Sequence, residues 1–203
     1  MFQNSIIARR AILLALVAVP AGSLVACASY DDLVDKDTAA AEKWANVEAQ
    51  LQRRHDLVPQ LVAVVKGSAA HERATLDAVT KARAEATQVK LTADDLTDPE
   101  KMAAFQKAQE GLTGALSKLM MIQEQYPDLK ANQGFRDLQV QLEGTENRIL
   151  RSREEYNAAV SAYNAALGRV RGKVVNKATG KAFAPRVFYQ ASAESQAAPD
   201  VSF

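Results

Sequence analysis

Two histidines, a single cysteine and one run of polar residues on a helical face are the side chains of this 203-residue chain whose type and spacing could do chemistry. His71-Glu72-Arg73-Ala74-Thr75 begins like the zinc-protease helix motif, in which two histidines four apart bind the metal and the glutamate activates water. Thr75 occupies the place of the second histidine. The other histidine, His55, is sixteen residues away in a different expected helix. His71 therefore reads as a helix-surface or bundle residue, and no catalytic, metal or cofactor site is expected. Glu143, Glu146, Arg153, Asn157 and Asn164 fall on a stripe beside an apolar seam. Such a stripe either forms a polar groove that faces a partner peptide or fixes helix register through internal hydrogen bonds and ion pairs. A di-metal site would need Glu-x-x-His pairs from facing helices, and the sequence has none. Arg53, Arg54 and Asp56 near an expected bend either receive an anion at a helix start or pair with each other and solvent.

Cys27 is informative through its position. Arg9 and Arg10 precede an uncharged apolar run, Ala11 to Val19, and this positive-then-apolar order is that of an export signal. Leu24-Val25-Ala26-Cys27 then resembles the lipobox of bacterial lipoproteins. A thiol at that boundary takes a diacylglyceryl thioether, and several acyl chains on one residue make a stable membrane anchor. The alternative is an uncleaved signal anchor with an inert thiol. Both put the domain on the exported side of a bacterial membrane, because arginines favour the cytoplasm. Ala28 after the cysteine favours the outer membrane in a cell that has one. The expected division is a signal peptide at 1–26, a lipidated terminus at 27–29, a helical body at 30–168 and an irregular, partly basic tail at 169–203.

The body that would position these groups reads as all-α. Alanine is abundant, and glycine and proline, which number nine and six, fall mostly between periodic runs. Leu33, Val34, Trp44, Val47 and Leu51 mark a first helix to about His55. Leu61, Val65, Leu76 and Val79 mark a second starting near Asp56. Pro59 either occupies the first turn of that second helix or kinks one longer helix. Thr97-Asp98-Pro99-Glu100 has capping-box spacing and opens a third, striped by Phe105, Leu112, Leu116, Leu119 and Ile122. Asn132 caps a fourth, whose seam runs through Phe135, Leu138, Leu142, Thr145, Ile149, Ser152, Tyr156, Ala159, Tyr163 and Ala166. The expectation is an elongated antiparallel four-helix bundle. Trp44, Tyr126, Tyr156 and Tyr163 are expected in its core.

A formal charge of +1 gives no field for holding nucleic acid. One cysteine excludes an internal disulfide. Cations at 169, 171, 173, 177, 181 and 186 lie in a stretch without acids, which either touches anionic headgroups or is solvated.

With the segments placed, Trp44 through Pro59, Leu61-Val62, Val65-Lys66-Gly67 and His71-Glu72 resemble the first signature of the LemA family. Tyr126-Pro-Asp-Leu-Lys-Ala-Asn132, Gln141 through Ile149, Tyr156-Asn157 and Tyr163-Asn164 are similar to its central signature, and Pro199 through Phe203 to its closing pattern. The resemblance implies a membrane-attached antiparallel helical bundle without agreed catalytic residues. It also implies a non-catalytic scaffold or adaptor role beside an envelope partner such as a membrane peptidase or a TPM-domain protein. A laterally self-assembling homo-oligomer is the alternative, and a hydrolase or hydrolase accessory a more distant one. Many family members carry a transmembrane helix where this chain has its lipobox.

Overall fold

The computed structural model describes the backbone of residues 3–69, 71–169, 172, 173, 176 and 183–190, with side chains from Tyr30 onward. Cys27, the segment before it, Arg171, Lys177, Lys181 and residues 191–203 lie outside the described side chains. Helix α1 (Gln3–Ser68) is followed by α2 (Arg73–Gln88), α3 (Pro99–Met121), the short α4 (Pro127–Ala131) and α5 (Gln133–Gly168), with 3-10 turns at Asp95–Thr97 and Ile122–Glu124. Among the described residues there is no strand, and no helix is long and apolar enough to cross a membrane. The chain is an all-α bundle, as its periodicity predicts.

Local chemistry sets the boundaries. Asp98, rather than Thr97, caps α3: its carboxylate accepts from the amides of Glu100 and Lys101, and Pro99 takes the first position, where no amide is needed. Asn132 caps α5 through the amide of Phe135. The 36 residues of α5 extend about 54 Å at 1.5 Å per residue.

Pro59 does not begin a helix. α1 runs through it, and the break falls at residues 69–72 instead of at His55. A proline inside a helix leaves the carbonyl four residues earlier without its amide donor. Here that carbonyl belongs to His55, and Arg83 Nε from α2 donates to it at 2.8 Å. The continuous helix is thus completed by a side chain from its neighbour.

Among the described residues, three apolar clusters stack along the rod. At one end, Leu57, Leu61 and Val65 of α1 meet Leu76 and Val79 of α2, Leu112, Leu116 and Leu119 of α3, and Phe135, Leu138 and Leu142 of α5. In the middle, Trp44, Val47 and Leu51 meet Leu96, Met102, Phe105, Ile149, Tyr156, Val160 and Tyr189. At the other end, Leu33 meets Tyr163, Ala166 and Phe183. The shorter α2 contributes only to the first cluster, and α3 stops before the third. Residues 183–190, an extended strap, fill the space where those two helices run out.

A double-mutant cycle followed by urea denaturation tests whether Arg83 replaces the amide that Pro59 lacks. Arg83→Met should cost about 1–3 kcal/mol, the range for a buried carbonyl left unpaired. In a Pro59→Ala background the restored amide can bond His55, so Arg83→Met should cost about 1 kcal/mol less. Additive costs would contradict it.

Candidate functional site

A polar layer separates the first two apolar clusters. Arg54 of α1 is 2% exposed, and its guanidinium donates to Gln109 Oε1 at 2.6 Å, Thr113 Oγ1 at 3.0 Å and Glu146 Oε1 at 3.2 Å. Gln109 shares the same oxygen with His55 Nε2 at 3.3 Å and uses its amide nitrogen on the carbonyl of Ala86 at 3.0 Å. That carbonyl lies in the last turn of α2, where no helical amide follows. One buried glutamine therefore joins three helices, and Arg54 ties in α5 through Glu146.

Burial pushes the His55 imidazole below its usual value, and the nearby Arg54 charge adds to the depression. Neutral His55 belongs to this layer. It borders a cleft of ≈ 220 Å³ between α1, α2 and α3, lined also by Glu48, Leu51, Ala86, Phe105 and Gln109. That volume is below the roughly 300 Å³ at which small-molecule pockets usually begin.

The polar stripe of α5 divides in two. Glu143 is exposed and, among the described residues, accepts from Gln139 alone, at 3.3 Å, while Glu146 holds Arg54. Arg153, Asn157 and Asn164 instead hold the chain's own strap. Asn157 donates from Nδ2 to the Tyr189 carbonyl at 2.8 Å and accepts the Tyr189 amide on Oδ1 at 2.8 Å. Asn164 does the same for Arg186, at 2.8 and 2.9 Å. Tyr156 and Tyr163 hydroxyls donate to the carbonyls of Val187 and Ala184, at 3.0 and 3.1 Å.

The spacing explains the match. Seven helical residues rise about 10.5 Å, close to the roughly 10 Å covered by three extended ones. Two Tyr-Asn pairs seven apart on α5 thus grip residues three apart on the strap, which runs antiparallel to the helix.

The strap's buried side chains follow the same three-residue period: Phe183, Arg186 and Tyr189. Phe183 meets Tyr30 edge-on at 5.9 Å. Arg186 Nε donates to Asp37 Oδ1 of α1 at 2.8 Å. Tyr189 enters an aromatic group, with ring centroids 6.3 Å from both Trp44 and Phe105, and Arg153 lies 4.1 Å over its ring. Trp44 and Tyr156 complete that group at 5.1 Å. Arg153 also donates to the Gln190 carbonyl at 2.8 Å, and Val187 donates its amide to the Leu96 carbonyl at 2.8 Å. Burial pushes the phenols of Tyr156 and Tyr163 up to about 12, so both stay protonated as donors.

The remaining sequence candidates do not come together. His71 is exposed in the turn between α1 and α2, so the partial zinc motif is not on one helix face. Glu72 accepts from the Tyr126 hydroxyl at 2.9 Å. Among the described residues, no three His, Cys, Asp or Glu side chains gather closely enough to hold a metal ion. Arg53 and Asp56 are exposed, and Asp56 accepts from Gln52 at 2.8 Å. They mark no helix start, because α1 is continuous there. Of that group Arg54 alone is buried, and its partners are side chains.

An all-α rod with a polar layer and a strapped groove is the class defined by this geometry. The chain belongs to the LemA family, whose model matches residues 43–203. It is also similar to the magnetosome protein MamQ of Magnetospirillum gryphiswaldense, 28% identical over 158 residues covering 68% of this chain and 57% of that protein. Magnetosome protein MamQ 1 of Paramagnetospirillum magneticum is 27% identical over 151 residues, 66% of this chain and 56% of that one. The chain thus spans a little over half the length of these relatives.

Two outcomes follow from the site. A histidine whose folded value is depressed contributes stability above its unfolded value of 6.5, and that contribution is lost as the pH falls below it. Urea stability should therefore fall between pH 7 and pH 5, by at most about 1.4 kcal/mol per pH unit for one proton. The decline should be smaller in His55→Gln; equal slopes would contradict a buried neutral imidazole. The second outcome uses Trp44, the chain's one tryptophan, which is 4% exposed beneath Tyr189. Asn157→Ala with Asn164→Ala should release the strap, shift Trp44 emission to the red and open residues 183–190 to protease. Unchanged emission would contradict the clamp.

Proposed function

We propose that this chain is a membrane-associated, non-catalytic scaffold or adaptor of the bacterial envelope, anchored by acyl chains on Cys27 with its rod on the exported side. One observation carries the non-catalytic part of the reading. The side chains best suited to chemistry are committed to holding the bundle together: His55 and Gln109 to the polar layer, Glu146 to Arg54, and the α5 asparagines and tyrosines to the strap. Family membership and the likeness to magnetosome proteins support a membrane-associated role.

A lipid anchor suits such a rod. It fixes one end at the surface and leaves the length of α5, with exposed side chains such as Glu143 and Val140, to face an envelope partner. A membrane peptidase or a TPM-domain protein would be such a partner.

Metabolic labelling with palmitate tests the anchor. Label should enter the wild-type chain and be absent from Cys27→Ala; label that persists in the variant refutes attachment at this cysteine. Crosslinking of the tagged, labelled protein in membranes should recover a defined partner repeatedly, and repeated recovery of none would sink the adaptor role.

A further inference from the structure

His55 keeps one ring nitrogen that the bundle does not use. Gln109 spends its amide nitrogen on the Ala86 carbonyl and takes Arg54 on Oε1, so the orientation of its carboxamide is fixed. That oxygen can only accept, and His55 therefore donates to it from Nε2. In the neutral ring Nδ1 is left as a bare acceptor. No donor meets it among the described residues. The side-chain nitrogens that are both unpaired and sealed from solvent there are Trp44 Nε1, Arg54 Nε and Arg186 Nη1. His55 Nδ1 is not one of them, so it opens on the cleft that its ring lines.

This cleft between α1, α2 and α3 grades from an apolar depth to a charged mouth. Leu51, Ala86 and Phe105 are buried beside His55, whereas Glu48 and Lys90 are exposed. Neither Glu48 nor Lys90 has an ion-pair partner among the described residues. At ≈ 220 Å³ the space suits one side chain rather than a cofactor. Its lining calls for an apolar body with one hydrogen-bond donor at the far end.

A phenol has that form. Its ring can lie against Phe105 and Leu51 while its hydroxyl reaches the depth, where His55 is. A serine hydroxyl stays near its own main chain, at the mouth. A phenylalanine ring fills the space but leaves Nδ1 desolvated without a donor, which costs free energy. At the mouth the Glu48 carboxylate accepts and the Lys90 ammonium donates, which suits the amide and carbonyl groups that flank a side chain in an extended segment.

We propose that this cleft receives one tyrosine side chain from an extended segment of an envelope partner, with the phenol donating to His55 Nδ1. The inference rests on the adaptor reading for its partner, and it adds a docking point on α1, α2 and α3, apart from α5.

The full-length protein has two histidines, so isotopic labelling of histidine nitrogen reports on His55 and gives exposed His71 as an internal reference. The probe is glycyl-tyrosyl-glycine blocked at both ends. Its titration should move the His55 Nδ1 resonance saturably and leave His71 in place. The phenylalanine analogue should bind roughly tenfold more weakly, the loss expected for one hydrogen bond. Ala86→Leu, which fills the depth of the cleft, should abolish the shift while circular dichroism stays helical. If helicity falls, Val89→Phe on the half-buried wall replaces it. Equal affinity for the two peptides, no saturable shift at millimolar peptide, or binding that survives the filling variant overturns the proposal. Crosslinking in membranes separates it from the adaptor reading. A partner recovered equally by wild type and the filling variant overturns the cleft and leaves the adaptor. Peptide binding with no partner recovered ends the adaptor reading and leaves the cleft as a receptor for a tyrosine side chain.

Discussion

A buried main-chain amide or carbonyl must find a partner, and in this molecule side chains supply many of those that the helices leave open. His55 loses its helical donor to Pro59 and gains Arg83. Ala86, at the end of α2, receives Gln109. The strap has no sheet to join, so the carboxamides of Asn157 and Asn164 stand in for a neighbouring strand, each offering one donor and one acceptor. Remove these side chains and the helices still have apolar faces, but the unpaired groups oppose the packing that brings those faces together.

The same economy explains the layering. A purely apolar seam would let α1, α3 and α5 slide by a turn at modest cost. The guanidinium of Arg54 permits one register, because it must meet Gln109, Thr113 and Glu146 at once. Breaking such a buried arrangement by removing one partner typically costs about 3–5 kcal/mol, much of it the penalty of an uncompensated charge. On one side of this layer α2 and α3 complete the core. On the other the strap takes the place of α2, and beyond the start of α3 only α1, α5 and Phe183 remain.

The sequence discloses the parts of this arrangement that depend on near neighbours. The seam of α5, its cap at Asn132 and the burial of Trp44, Tyr156 and Tyr163 all follow from spacing along one helix. The break between the first two helices is misplaced at His55 because Pro59 is tolerated only through Arg83, 24 positions further on. The strap is hidden for a similar reason. Its stretch has no helical period, so it reads as part of an irregular tail, whereas its order comes from partners on α5, α1 and the loop at Leu96. A signal was nevertheless present: Tyr156-Asn157 recurs as Tyr163-Asn164 seven residues later, and Phe183, Arg186 and Tyr189 recur every third residue. The polar stripe was visible, but not that the chain itself occupies half of it.

Side chains of α5 pair the main chain of the strap, and amide hydrogen exchange reads that pairing directly. The amides of Arg186, Val187 and Tyr189 donate to Asn164, Leu96 and Asn157. They should exchange slowly, whereas the amide of the exposed Phe188, for which no acceptor is found among the described residues, should exchange fast. Equally fast exchange throughout residues 183–190 would mean that the strap is not held, and would contradict the account.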